Sequence, residues 1–260
     1  MLYFIYIKFF SSLVGAMLGS FANVLIYRLP REESLLTPGS HCPHCEKKIP
    51  FYLNIPVLSF LLLKGKCHFC TKEIPRSYFW IELISLTVAF FWAPSFITAY
   101  SLYEFFFKMT VFVSFLSIII IDLKHHIIPN EINLYLGMIF LMQGIFFKSY
   151  SFYLYGFLIG FLLPASVAGF FYWRRKVMGL GGGDIKLYAV LGLILGPYGI
   201  MMNIFFSCFL GAIIGLILMY THKIQRETHL PFGPAIIFVA FFQLFFPDAI
   251  TFLSSLLFRF

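Results

Sequence analysis

Two of the eleven acidic residues in this 260-residue chain stand where an acid is hardest to keep. Asp122 ends the run of aliphatics within SFLSIIIIDLKHHIIPN, and Asp184 follows three glycines in GLGGGDIKL. A carboxylate beside an apolar segment is expensive, so by default it marks function or a partner. Each has a plainer reading alone. Asp122 suits an interface residue paired with Lys124 or a histidine, and Asp184 suits a helix N-terminus, where free N–H groups favour an acid. Together they suit acid–base hydrolysis. Two carboxyls held a few Å apart cannot both ionise comfortably, so they share a proton. The ionised member takes a proton from water, and the protonated member donates toward the developing oxyanion and then the leaving amine. Gly181, Gly182 and Gly183 lack a Cβ and leave clearance for an extended substrate backbone. A glycine run is also merely flexible.

A second constellation is made of sulfur. CPHC (Cys42, Cys45) and CHFC (Cys67, Cys70) are separated by 21 residues. Two C-x-x-C hooks at about this separation are the pattern of a closed, tetrahedral Cys₄ zinc knuckle, which leaves no open position for catalysis. The competing readings are two disulfides or one redox pair. The surrounding loop is rich in Lys and Arg, which places it in the reducing cytoplasm and argues against disulfides. His41, His44 and His68 flank the hooks and read as solvated, with replacement of a thiolate as the alternative. Cys208, in an apolar run, reads as a packing residue.

The rest of the chain must position these groups in a bilayer. It is 60% hydrophobic and 12% charged, with mean hydropathy +0.89, against about 25% charged residues in a soluble domain. The expectation is an all-α polytopic membrane protein. About eight transmembrane helices are predicted, at 5–27, 78–99, 104–121, 131–148, 152–173, 184–199, 200–220 and 234–257. The sixth and seventh are parted only by a tight turn at Gly196-Pro197-Tyr198-Gly199. With the N-terminus outside, the inner segments 28–77, 122–133, 174–186 and 221–233 hold 15 of the 19 Lys and Arg, as the positive-inside rule asks. Both termini then face away from the cytoplasm, and Asp122 and Asp184 fall at cytoplasmic helix ends although 61 positions separate them. The division is a first helix (1–27), a small cytoplasmic zinc-binding loop domain (28–77) and a membrane core (78–260) with both aspartates. The net charge of +8 lies in loops between apolar runs and implies no nucleic acid. The N-terminus has no basic leading region or small-residue cleavage site, so no cleavable signal is expected.

Six ordered motifs carry a resemblance that covers nearly the whole chain. GSFANVLIYRLPR (19–31), the two hooks, IELISL (81–86), IDLKHHIIPN (121–130), GLGGGDIKL (179–187) and LPFGPAI (230–236) together resemble the type IV prepilin peptidases, the leader peptidase/N-methyltransferases of the GxGD aspartic protease class. The resemblance implies that Asp122 and Asp184 are the catalytic aspartates. It implies an inner-membrane enzyme of bacteria, partnered by lipid and by prepilin or pseudopilin substrates with a short basic leader. Cleavage after glycine at the cytoplasmic face would be followed by N-methylation from S-adenosylmethionine. The donor-binding residues stay unassigned, since no G-x-G-x-x-G follows a strand. Asn130 departs from the pattern, where relatives often carry an acid, so a local contact is expected to differ.

Rival readings are another GxGD protease of preflagellin type, which the cysteine loop disfavours, and a proton- or cation-coupled transporter. No duplication between the halves supports the transporter. Glu82 has two readings of equal standing: a holder of a substrate amine, or a partner of Arg76. Lys124 and Lys186 read as snorkelling, His125 and His126 as interface residues, and Asn23 as an interhelical hydrogen-bonder.

Overall fold

The computed structural model describes residues 2–176, 180–221 and 231–248. Gly179, Leu230, most of the inner segment 221–233, the 249–257 end of the last predicted span and both terminal residues lie outside them. The described residues are helical, with two isolated β-bridges in the cysteine loop. The helices are α1 (Leu2–Arg28), a short α2 (Leu58–Leu62), α3 (Arg76–Trp92), α4 (Ala99–His125), α5 (Asn130–Phe147), α6 (Tyr150–Arg175), α7 (Gly182–Tyr220) and α8 (Gly233–Phe245). By length and composition α1, α4, α6 and α7 can cross a membrane, while α8 is a shorter apolar helix. Two compact units divide within α4, at Ser117.

In the first unit α1 and α3 meet along small residues. Gly15 backs onto Ala89 and the Ser85 carbonyl, Gly19 lies against Glu82 and Ser85, and Ala22 and Ala89 are fully buried. Lipid is as apolar as leucine, so such helices associate through close backbone approach rather than a hydrophobic drive. At the end of α1 the buried Arg28 guanidinium donates to the carbonyls of Ser34 (2.8 Å), Pro38 (2.6 Å) and Gly39 (3.4 Å), tying the loop to the helix. α3 stops earlier than the predicted 78–99, because Ala93 is extended (φ −54°, ψ 131°) before Pro94, and a residue before proline is forced out of the helical region. α4 runs further than the predicted 104–121. It continues through Asp122-Leu123-Lys124 and ends where His126 turns left-handed (φ 54°). Asp122 therefore belongs to the last helical turn, not to the loop beyond it.

In the second unit α7 is interrupted at Gly196 (φ 69°, ψ −176°), followed by Pro197. This conformation is open essentially to glycine alone, and proline removes the next helical N–H. The two halves fold back on one another: Tyr188 and Ser207 share a hydrogen bond of 2.7 Å between their hydroxyls, whereas 19 residues of straight helix would part them by about 28 Å. The break falls within the turn that the sequence predicts. A buried polar chain closes the hairpin onto α8. Asn203 Nδ2 donates to Gln243 Oε1 at 2.9 Å, and Gln243 Nε2 donates to the Gly199 carbonyl at 2.9 Å. α6 packs on the first half at backbone contact. A Cβ on Gly156 would collide with the Gly192 carbonyl, and one on Gly192 with the Gly156 carbonyl.

This contact makes a prediction. Gly192→Ala forces two backbones apart and should destabilise the chain by about 1–3 kcal/mol. Gly169→Ala, where a Cβ meets nothing within 4 Å, should be neutral or slightly stabilising. Thermal unfolding in detergent checks both.

Candidate functional site

Asp122 is 5% exposed. A carboxylate so deep needs donors, and Asp122 Oδ2 accepts the backbone N–H of Gly233 at 2.9 Å, across 111 positions of sequence. Gly233 is the first residue of α8, so the carboxylate caps a helix N-terminus, where unsatisfied N–H groups carry partial positive charge. The approach depends on glycine: a Cβ there would stand 2.8 Å from Asp122 Oδ2. Gly233 was not singled out in the sequence. Its signal was available in Gly-Pro at a helix start.

Asp184 is likewise at a helix start. Gly181 is the N-cap of α7, with extended backbone (φ −67°, ψ 144°), and its N–H lies beside the Asp184 carboxylate. This is the returning half of a capping box, with the acid at the third helical position. The three glycines serve different neighbours. A Cβ on Gly181 would lie 2.9 Å from Asp184 Oδ2, and one on Gly183 would lie 3.1 Å from Ile128; at Gly182 it would meet nothing within 4 Å. Two of them therefore make room for the chain's own atoms, and Gly182 alone faces open space.

Ile128, in the α4–α5 connection, joins the two carboxylates' surroundings. It packs on Gly183 beside Asp184, and on Gly233 beside Asp122, with 3.3 Å from its Cδ1 to a Cβ built there. The two carboxylates lie within electrostatic reach of each other. Lys186 donates to Asn130 Oδ1 at 2.8 Å, so the position that departs from the motif holds a lysine by a neutral hydrogen bond where an acid would make an ion pair. An arrangement of two carboxylates, each steadied by one backbone N–H, can hold one proton between them and pass protons to and from water.

The four cysteines converge in the first unit. Their sulfurs all lie within 4.8 Å of one another, with Cys42 and Cys70 3.8 Å apart, which matches the roughly 3.8 Å edge of a tetrahedron with 2.3 Å metal–sulfur bonds. The two hooks are built alike. Cys42 N–H donates to Lys47 O and Cys67 N–H to Lys72 O, and the residue after each second cysteine is left-handed: Glu46 at φ 56° and Thr71 at φ 59°. The Cys70 N–H draws the Cys67 thiol down to about 7. Although the Lys72 N–H favours its thiolate, Cys70 is pushed up to about 11 by desolvation and the neighbouring sulfurs. Four thiolates crowded together need a cation to ionise as a set. The donor set fits a metal ion, and none of the four is in a disulfide.

Glu82 is not paired with Arg76. Its Oε2 accepts the Val57 N–H at 2.8 Å, and Ser20 and Asn23 stand close by. Asn23 reaches across helices as expected, donating to the Tyr78 carbonyl at 3.2 Å. Val57 has φ 65° and ψ −51°, and Leu58 N–H closes on Pro56 O at 2.7 Å. This is a strained γ-turn, rare for a β-branched residue, and the buried carboxylate fastens it to α3.

Residues 13–96 match the bacterial peptidase A24 N-terminal domain, and residues 109–216 match the type IV leader peptidase family. The chain is 31% identical to the "Prepilin leader peptidase/N-methyltransferase" of Stutzerimonas stutzeri, over 92% of this chain and 90% of that one. It is 35% identical to the protein of the same name from Bacillus subtilis (strain 168), over 85% and 87%. For the one from Vibrio cholerae the identity is 31%, over 94% and 97%. No solved structure matches.

The site geometry sets a stability contrast. Gly233→Ala should displace the Asp122 carboxylate from the α8 N–H that it accepts and destabilise the chain by about 1–3 kcal/mol. Gly182→Ala should leave stability unchanged or raise it by about 0.5–1 kcal/mol, as Ala replaces Gly in a helix. Thermal unfolding of the two variants beside the parent measures this.

Proposed function

The chain belongs to the type IV leader peptidase family, and we propose that it is a membrane aspartic endopeptidase whose catalytic pair is Asp122 and Asp184. It removes the short basic leader of type IV prepilins or pilin-like proteins after glycine, at the cytoplasmic face of a bacterial inner membrane. The observation that carries this reading is the convergence of Asp122, Gly233, Ile128, Gly183 and Asp184. The pair shares one proton. The ionised carboxylate accepts a proton from water as the water attacks the scissile carbonyl. The protonated carboxyl donates to the carbonyl oxygen, and a proton then passes to the leaving amine. The pair titrates as a unit, so neither aspartate is given one fixed role. Clearance for the substrate backbone belongs to Gly182.

The chain crosses the membrane eight times in this reading, with α7 contributing two crossings and α3, α5 and α8 one each beside α1, α4 and α6. Both termini lie outside, as the Lys and Arg distribution asks. The loop 28–77 is a cytoplasmic domain in which Cys42, Cys45, Cys67 and Cys70 hold one structural Zn²⁺, and 78–260 is the peptidase core. The relatives' shared name carries N-methyltransfer, and in this reading the chain methylates the new N-terminus with S-adenosylmethionine as donor, as the family resemblance implies. No residues are assigned to the donor: the described residues hold helices and isolated bridges, not the strand–turn–helix cradle of a nucleotide site.

Cleavage of a prepilin by purified protein in liposomes tests the pair. Asp122→Asn and Asp184→Asn should each lower cleavage by at least about 10³-fold, the scale of losing a catalytic group, while both variants remain folded. Retention of cleavage by either one contradicts the assignment. The knuckle is tested by metal content. One zinc per chain is expected at neutral pH, lost in Cys42→Ser and released as pH falls, because protons compete with the metal for thiolate.

A further inference from the structure

Asn133, in the first turn of α5, is 4% exposed, and both its carboxamide oxygen and its nitrogen are buried with no hydrogen-bond partner among the described residues. Each such atom left unpaired is destabilising, and a bilayer offers no water to relieve it. Two contacts fix where this residue faces. One turn earlier Asn130 accepts Lys186 at 2.8 Å, and one turn later a Cβ on Gly137 would stand 3.6 Å from Val190 Cγ2. Asn133 shares the buried face of α5 with Leu136 and Phe140. It therefore stands against the opening turns of α7, which start at Gly182 and carry Asp184. The connection that enters α5 holds Ile128, the residue packed against both Gly183 and Gly233.

A carboxamide offers an acceptor oxygen and N–H donors side by side, which is the complement of a peptide group. A helical substrate segment spends its own N–H and C=O groups internally. Only an unwound segment, which a peptidase must have at its scissile bond, presents both free. We propose that Asn133 is a substrate-binding residue that accepts one backbone N–H and donates to one backbone C=O of the unwound segment beside the scissile bond. The inference rests on the peptidase reading above. Neither carboxylate needs Asn133 for its own hydrogen bonds, so its loss leaves the pair intact and removes substrate affinity.

The test follows prepilin cleavage in liposomes by the parent, Asn133→Leu and Asn133→Ala, with thermal unfolding of each. Leucine is close in size to asparagine and removes both unpaired polar atoms. The Leu variant should unfold at or above the parent's temperature while its kcat/KM falls about 10- to 100-fold, as two lost hydrogen bonds imply. The Ala variant should show a similar kinetic fall. In both, the loss should lie in KM with kcat little changed, and the pH profile should match the parent's. Cleavage within twofold of the parent by both folded variants overturns the proposal, since Asn133 then serves a trapped water or nothing. A lowered unfolding temperature with lost cleavage in both variants also overturns it, by making Asn133 part of the fold. A parent that leaves the leader uncut instead overturns the peptidase reading itself.

Discussion

A carboxylate at the end of an apolar helix must be met by donors that the chain itself supplies. Asp122 meets that demand with the first N–H of α8 at 2.9 Å. The bond does three things at once. It offsets the desolvation of the carboxylate, satisfies one of the orphan N–H groups at a helix start, and fixes the beginning of α8 against the end of α4. It forms only because residue 233 has no side chain. Asp184 solves the same problem locally, by reaching back to the N-cap of its own helix. Among the described residues a backbone N–H stands beside each acid, and His126 is also within electrostatic reach of Asp122.

The remaining architecture keeps those helix ends in place without much hydrophobic drive between helices. The α6 and α7 backbones touch at Gly156 and Gly192, and the α7 hairpin turns at Gly196. Tyr188, Ser207, Asn203 and Gln243 then close it with hydrogen bonds away from lipid. The first unit applies the same small-residue packing between α1 and α3 and adds a cysteine knuckle. That loop lacks an apolar core of its own, and a metal held by four thiolates would replace one.

Features that depend on residue type and near spacing were legible in the sequence. The two hooks, the aspartate motifs, the α7 turn and the reach of Asn23 across helices belong to this group. Contacts set by distant backbone were not. Nothing local to Gly233 says that Asp122 will bond to it, and valine is among the last residues to suggest a left-handed γ-turn at position 57. The glycines before Asp184 read as a uniform clearance, yet Gly181 and Gly183 are filled by Asp184 and Ile128. The extension of α4 past Asp122 was hidden because hydropathy falls there, although Leu123 and Lys124 are good helix formers.

The central claim is that Asp122 and Asp184 hold one proton between them. The pH dependence of kcat/KM for prepilin cleavage by the unaltered chain tests it most directly. A shared-proton pair gives a bell-shaped profile: activity is lost when the pair takes up a second proton at low pH and when it gives up the shared one at high pH. A rate that rises to a plateau and holds as pH increases would show that no shared proton is needed, and would contradict the account.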